Sequence, residues 1–127
     1  MKAHTPNKFN DATLVGVYEP GSDEWHAARA NSLGGSEIGV AMGLSPYQSC
    51  YYLWAVKTGQ IEQRPVWNWA IRFGQKFEEP IMELLQEEHP EWDIYATGTY
   101  SNNKRPWMHA NPDGLAKVNG EWVIIEV

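Results

Sequence analysis

The sequence predicts an α/β chain of the α+β type, a helical N-terminal half followed by a mainly antiparallel sheet. Three observations carry this. Capping residues and glycine stops alternate between Ser22 and Gly59, and apolar residues recur every three or four positions from Val66 to His89. Beyond Pro90 the period changes to two and leads into an Asn119-Gly120 turn between apolar runs.

Taken in order, residues 1–20 have no sustained period and read as an N-terminal arm with one short strand at Thr13–Tyr18. Ser22 then caps a helix, with Asp23 and Glu24 in its first turn and Trp25, Ala28 and Arg29 at helical spacing, fading near Asn31. Gly34 and Gly35 break the chain. Ser36 caps a short helix through Ile38, Val40, Ala41 and Met42 that stops at Gly43, and Ser49 starts another that runs through Leu53 and Val56 to Gly59. A long amphipathic helix follows, its stripe being Val66, Ala70, Phe73, Phe77, Ile81, Leu84 and Leu85, with Pro80 as a point of kinking. Trp92, Ile94 and Ala96 then alternate with Asp93, Tyr95 and Thr97 as a strand, and Trp107–Ala110 is a second. The hairpin of 115–118 and 121–125 closes the chain.

With 127 residues and 43% hydrophobic content the chain suits one domain, here residues 21–127 after the arm. No apolar run approaches the ~20 residues of a membrane span, and the polar start lacks a signal peptide's apolar stretch, so a soluble, cytoplasmic protein is expected. Cys50 is the only cysteine, which excludes an intrachain disulfide and a thiolate zinc site. A net charge of −6 argues against polyanion binding by bulk attraction, so any nucleic-acid role needs local cations or a bound metal. The seven tryptophans are expected to fill the core and its rim, with sugar or base stacking as the functional alternative.

The chemistry concentrates at the end of the hairpin. A two-residue turn at Asn119-Gly120 sets Val118 opposite Glu121 and, continued, Asp113 opposite Glu126. Cross-strand Cβ atoms lie roughly 4.5 to 5.5 Å apart. At an effective dielectric near 20, two like charges there repel by on the order of 3 kcal/mol. A hard divalent cation, Mg2+ or Mn2+, would offset that repulsion. The bland alternative is fraying near Gly114 that leaves Asp113 a solvated turn residue. On the long helix, Glu78 aligns with Ile71, Gly74, Ile81, Met82 and Leu85, whereas Glu79 aligns with Arg72, Gln75, Lys76 and Glu83. Glu79 therefore takes the solvated face, and Glu78 either joins the metal or snorkels to water. His4, His26, His89 and His109 lack metal-ligand spacing and read as packing or surface residues, as Cys50 reads as a small rim residue.

The order Trp25-His26-x-x-Arg29, Ser36-Glu37, Lys57-Thr58-Gly59, Gly74-Gln75-Lys76-Phe77-Glu78, Asn111-Pro112-Asp113-Gly114-Leu115 and Glu126 resembles the phage lambda-type exonucleases, the YqaJ-like viral recombinase family. The resemblance spans roughly Gly21 to Val127. It implies a restriction-endonuclease-like core, truncated here at the strand carrying Glu126, and a metal-dependent 5′ to 3′ exonuclease of duplex DNA ends in phage-type recombination. Carried over by residue, Asp113, Glu126 and Glu78 correspond to the catalytic, metal-ligating carboxylates, and Arg29 and Ser36 to the pocket for the terminal 5′ phosphate. The family's motif also has a lysine two residues after Glu126, where this sequence ends at Val127, so the chain is expected to be the N-terminal part of a nuclease and inactive alone. A homo-oligomeric ring threaded by DNA and a single-strand annealing partner are further implications. Two other classes compete: an inactive DNA-end-binding or assembly module, and a tryptophan-rich carbohydrate-binding domain.

Overall fold

The computed structural model describes residues 4–64 and 68–127. It is an α+β fold as expected, with strands β1 (Lys8–Phe9) and β2 (Ala12–Gly16), helices α1 (Asp23–Arg29), α2 (Gly35–Ala41), α3 (Cys50–Lys57) and α4 (Trp69–Glu88), and then strands β3 (Asp93–Tyr95), β4 (Thr99–Asn102), β5 (His109–Ala110), β6 (Gly114–Val118) and β7 (Glu121–Ile125). The strands form two antiparallel sheets, one in the order β1-β2-β4-β5 and one in the order β3-β6-β7.

Local signals placed most of these elements. The hydroxyls of Ser22 and Ser49 accept from the amides of Trp25 and Tyr52 and cap α1 and α3. Ser36 does not cap α2. The N-cap is Gly34, whose amide donates to Glu37 Oε2 at 2.8 Å, so Ser36 is the second helical residue and is exposed. The start expected for the long helix at Val66 lies outside the described residues; α4 is capped at Asn68 and continues through Pro80 as one helix.

The opening segment departs most from its reading as an arm. Its β1 pairs with β2 and β2 pairs with β4, which has no clear sequence signature, and Phe9 is buried with Tyr95, Tyr100 and Leu115. The Tyr100 hydroxyl donates to the Pro6 carbonyl at 2.8 Å, which ties the opening segment to the core. The cause is tertiary: a short strand of ordinary polarity is decided by the partner it finds, and partners 90 residues away leave no local trace. Aromatic packing follows the same division. Phe9, Tyr95 and Tyr100 build the core, Trp122 covers it, and Trp54, Trp69 and Trp107 are each more than half exposed.

Helix α4 corrects the expected stripe. Met82 is its fully buried residue, with Glu78, Leu85 and Gln86 half-buried on the same side. Phe73, Phe77, Ile81 and Leu84 are exposed, the two phenylalanine rings stacked on each other at 4.2 Å. Amphipathic period identified the helix, but it did not choose the line that meets the sheet: a side chain at Gly114 would overlap the Met82 methyl, so that glycine lets α4 approach β6. Among the described residues no helix is long and apolar enough to cross a membrane.

Candidate functional site

The hairpin has the expected register. Asn119 and Gly120 both take positive φ, 51° and 86°, the pair of values that matches the twist of a two-residue turn. The ladder runs from Val118 opposite Glu121 to Gly114 opposite Ile125 and stops there, one step before Asp113 and Glu126. Asp113 is nevertheless held at the ladder's end, because its Oδ2 accepts from the Val127 amide at 2.8 Å. Glu78 comes from α4 to the same end of the sheet. Burial first, and then the charges of Asp113 and Glu126, push its carboxyl above the ordinary range; burial and Asp113 do the same to Glu126. Glu79 is exposed, as the helix-face argument requires.

Three mutually repelling carboxylates are thus gathered on one edge. They are coupled but not converged. Among the described residues no three His, Cys, Asp or Glu side chains are grouped to hold a metal ion in this conformation, and one Asp113 oxygen is engaged by a backbone amide. Their donor chemistry fits a hard divalent cation, whereas joint coordination requires side-chain rotation, which the exposed Glu126 and half-exposed Glu78 have room to make.

A second feature is a cleft of about 500 Å³ whose walls include Trp25, His26, Arg29, Glu37, Lys57 and Ile61. The Arg29 guanidinium lies over the Trp25 ring at 4.1 Å and donates from Nη1 to Asn111 Oδ1 at 3.3 Å, while Asn111 donates in turn to Thr99 Oγ1. Asn111 is two residues before Asp113, so the cleft and the carboxylates are joined by one short segment. Burial draws the Arg29 pKa down and Glu37 partly opposes it. Ser36 does not line this cleft. Arg29 shares the cleft wall with Lys57 and Glu37.

The sequence pattern of the YqaJ-like viral recombinase domain matches residues 24–127. This chain belongs to the YqaJ-like viral recombinase family. Among its relatives, Protein D345L of African swine fever virus (strain Badajoz 1971 Vero-adapted) is 32% identical over 98 residues, 74% of this chain and 28% of that protein. The uncharacterized protein YqaJ of Bacillus subtilis (strain 168) is 33% identical over 68 residues, 54% of this chain and 21% of that protein. The chain thus spans about a quarter of the length of these relatives. The matched YqaJ-like segment contains Arg29, Ser36, Glu78, Asp113 and Glu126.

Next to Gly34 and Arg29 in this YqaJ-like domain lies His109, a residue read from sequence as a packing or surface residue. It is 6% exposed, its Nδ1 meets Ser32 Oγ at 2.5 Å, and its Nε2 is buried without a partner among the described residues. A Cβ at Gly34 would sit 2.6 Å from that nitrogen and 3.2 Å from Arg29 Nη2, so the glycine is needed where loop, ring and guanidinium meet. Burial, followed by the Arg29 charge, lowers the His109 pKa from 6.5 to about 4, against a smaller opposing effect of Glu37. A histidine depressed when folded binds fewer protons than when unfolded. Its contribution is complete above pH 6.5 and is lost as pH falls toward 4, at most about 3 kcal/mol before solvent screening reduces it. Denaturant titrations of wild type and His109→Gln between pH 7 and 4 are expected to show a steeper loss for wild type; parallel curves would remove His109 from the pH response.

Lys57, Glu37, Asn111 and His109 were missed as site residues. The first three stood in the quoted motif segments, where Glu37 also occupies the capping-box position, but their partners are 28 or more residues away or across a helix break, and spacing does not report such contacts.

Proposed function

We propose that this chain supplies the DNA-end pocket and the acidic ligands of a divalent-metal-dependent 5′ to 3′ exonuclease acting on double-stranded DNA in phage-type recombination. The observation that carries the reading is the gathering of Asp113, Glu126 and Glu78 at one sheet end, where burial first and the neighbouring carboxylates second raise the pKa of Glu78 and Glu126. Membership of the viral recombinase family supports it. Asp113, Glu126 and Glu78 would hold Mg2+ or Mn2+, which when bound supplies charge neutralisation at a phosphate and an acidified water. Arg29 presents a planar, permanently charged fork in the cleft, suited to a terminal 5′ phosphate. The Asn111 contact to Arg29 sets the spacing between that end and the carboxylates. Under this reading a ring-shaped homo-oligomer and a single-strand annealing partner belong to the longer protein.

One observation favours a second reading, a DNA-end-binding module without hydrolysis: the cleft is formed within this chain, whereas the carboxylates are not converged. The deciding experiment compares the 127-residue chain with a longer protein carrying a lysine two residues after Glu126. By strand alternation that ammonium shares the Glu126 face, where it can orient or deprotonate water. Digestion of 5′-phosphorylated duplex in magnesium is expected from the longer protein and not from the short chain. A longer protein that binds ends but never digests them would favour the module.

A further inference from the structure

The Lys57 ammonium stands where three helix ends meet. Its Nζ donates to the Arg29 carbonyl at the end of α1 at 2.8 Å, an acceptor it shares with the Ser32 amide at 3.3 Å, and pairs with Glu37 Oε1 at 2.9 Å. Glu37 uses its other oxygen, Oε2, to accept the Gly34 amide that opens α2. One ion pair therefore joins the end of α1, the start of α2 and the end of α3, and each partner's side chain is only 17% exposed. Half-buried charge-assisted bonds of this kind hold geometry more firmly than exposed pairs, because water competes less for them. Lys57 and Glu37 also wall the cleft that Arg29 enters.

We infer that Lys57 and Glu37 are positioning residues: the pair sets the backbone of Arg29 and of the Gly34 loop so that the guanidinium faces the cleft ready to receive an anion. This rests on the reading of Arg29 as a phosphate-binding residue, but the clamp itself is a separate claim about where Arg29 is held. Two of the three Lys57 protons are used on the protein, so the lysine acts chiefly through Arg29. Glu37, in turn, pairs with Lys57 and also acts on the Arg29 charge, so the pair is tied to the guanidinium as well as to its backbone.

The test uses the 127-residue chain with paired 5′-phosphorylated and 5′-hydroxyl duplexes, read by fluorescence anisotropy, together with the Arg29 Nε–H and Gly34 amide resonances. Lys57→Met is expected to shift both resonances and to lower the preference for the phosphorylated end by about tenfold, the usual weight of one charge-assisted bond. Lys57→Arg, which retains a cation able to reach both acceptors, is expected to restore both readouts. If Lys57→Met does not fold, Glu37→Gln, which keeps an acceptor for the Gly34 amide but removes the charge, serves in its place. Unchanged resonances in a folded Lys57→Met or Glu37→Gln variant, or no recovery with Lys57→Arg, would overturn the clamp. A wild type that binds both ends equally while the resonances still move would instead overturn the phosphate reading and leave the clamp standing.

Discussion

Manganese titrated into the chain is expected to bind weakly, and Asp113→Asn or Glu126→Gln to weaken that binding by at least about 10- to 100-fold. That is the loss typical of outer-shell partners, and a direct ligand should cost no less. The basis is the hairpin register, which carries the two carboxylates to adjoining positions just past Gly114 and Ile125, and the Val127 amide that keeps Asp113 there. Glu78→Gln is expected to weaken binding as well, because Glu78 shares the potential of the other two, whereas Glu79→Gln on the solvated face should leave it unchanged. Calorimetry measures all four. Equal effects at positions 78 and 79 would sink the helix-face assignment, and a wild type that takes no manganese would remove the metal site from this chain. In the longer protein the same Asp113 substitution should abolish digestion while leaving the binding of 5′-phosphorylated ends intact.

Replacing Arg29 by alanine is expected to act on the substrate's end. In the longer protein it should slow digestion of 5′-phosphorylated duplex about tenfold to a hundredfold, the weight of roughly 1.5 to 3 kcal/mol for a hydrogen bond to a charged group. Digestion of 5′-hydroxyl duplex should change much less, so that discrimination between the ends disappears. The guanidinium already has a Trp25 face beneath it and one amide acceptor at Asn111, and it opens on the cleft with its remaining donors. Ser36→Ala, by contrast, is expected to have little effect, since that residue neither caps α2 nor lines the cleft. Equal slowing of both ends by Arg29→Ala would return Arg29 to a purely structural role.

Most of the site's acidic half was legible before the fold was known. Turn chemistry at Asn119-Gly120 counts residues in pairs, and the count leads from the turn to Asp113 and Glu126 with no knowledge of the rest of the chain. Helical periodicity likewise separated Glu78 from Glu79. The basic half was only partly legible. Arg29 and Ser36 came from the family resemblance, and the contacts of Arg29 with Lys57 and Asn111 appear only in the folded chain.

Neighbours a few residues away were enough to fix the caps at Ser22 and Ser49, the amphipathic α4, and the hairpin with its register. Tertiary structure alone decided that the strand of the opening segment pairs with β4, that α4 meets β6 along Met82 rather than along its phenylalanines, and that His109 lies buried against Gly34. The physical reason is range. Hydrogen bonds within a turn or helix are set by local dihedral angles and side-chain periods, whereas the choice of which apolar line is buried, or which lysine reaches which carbonyl, is made by the burial free energy of the whole chain, to which each local pattern offers several nearly equal partners.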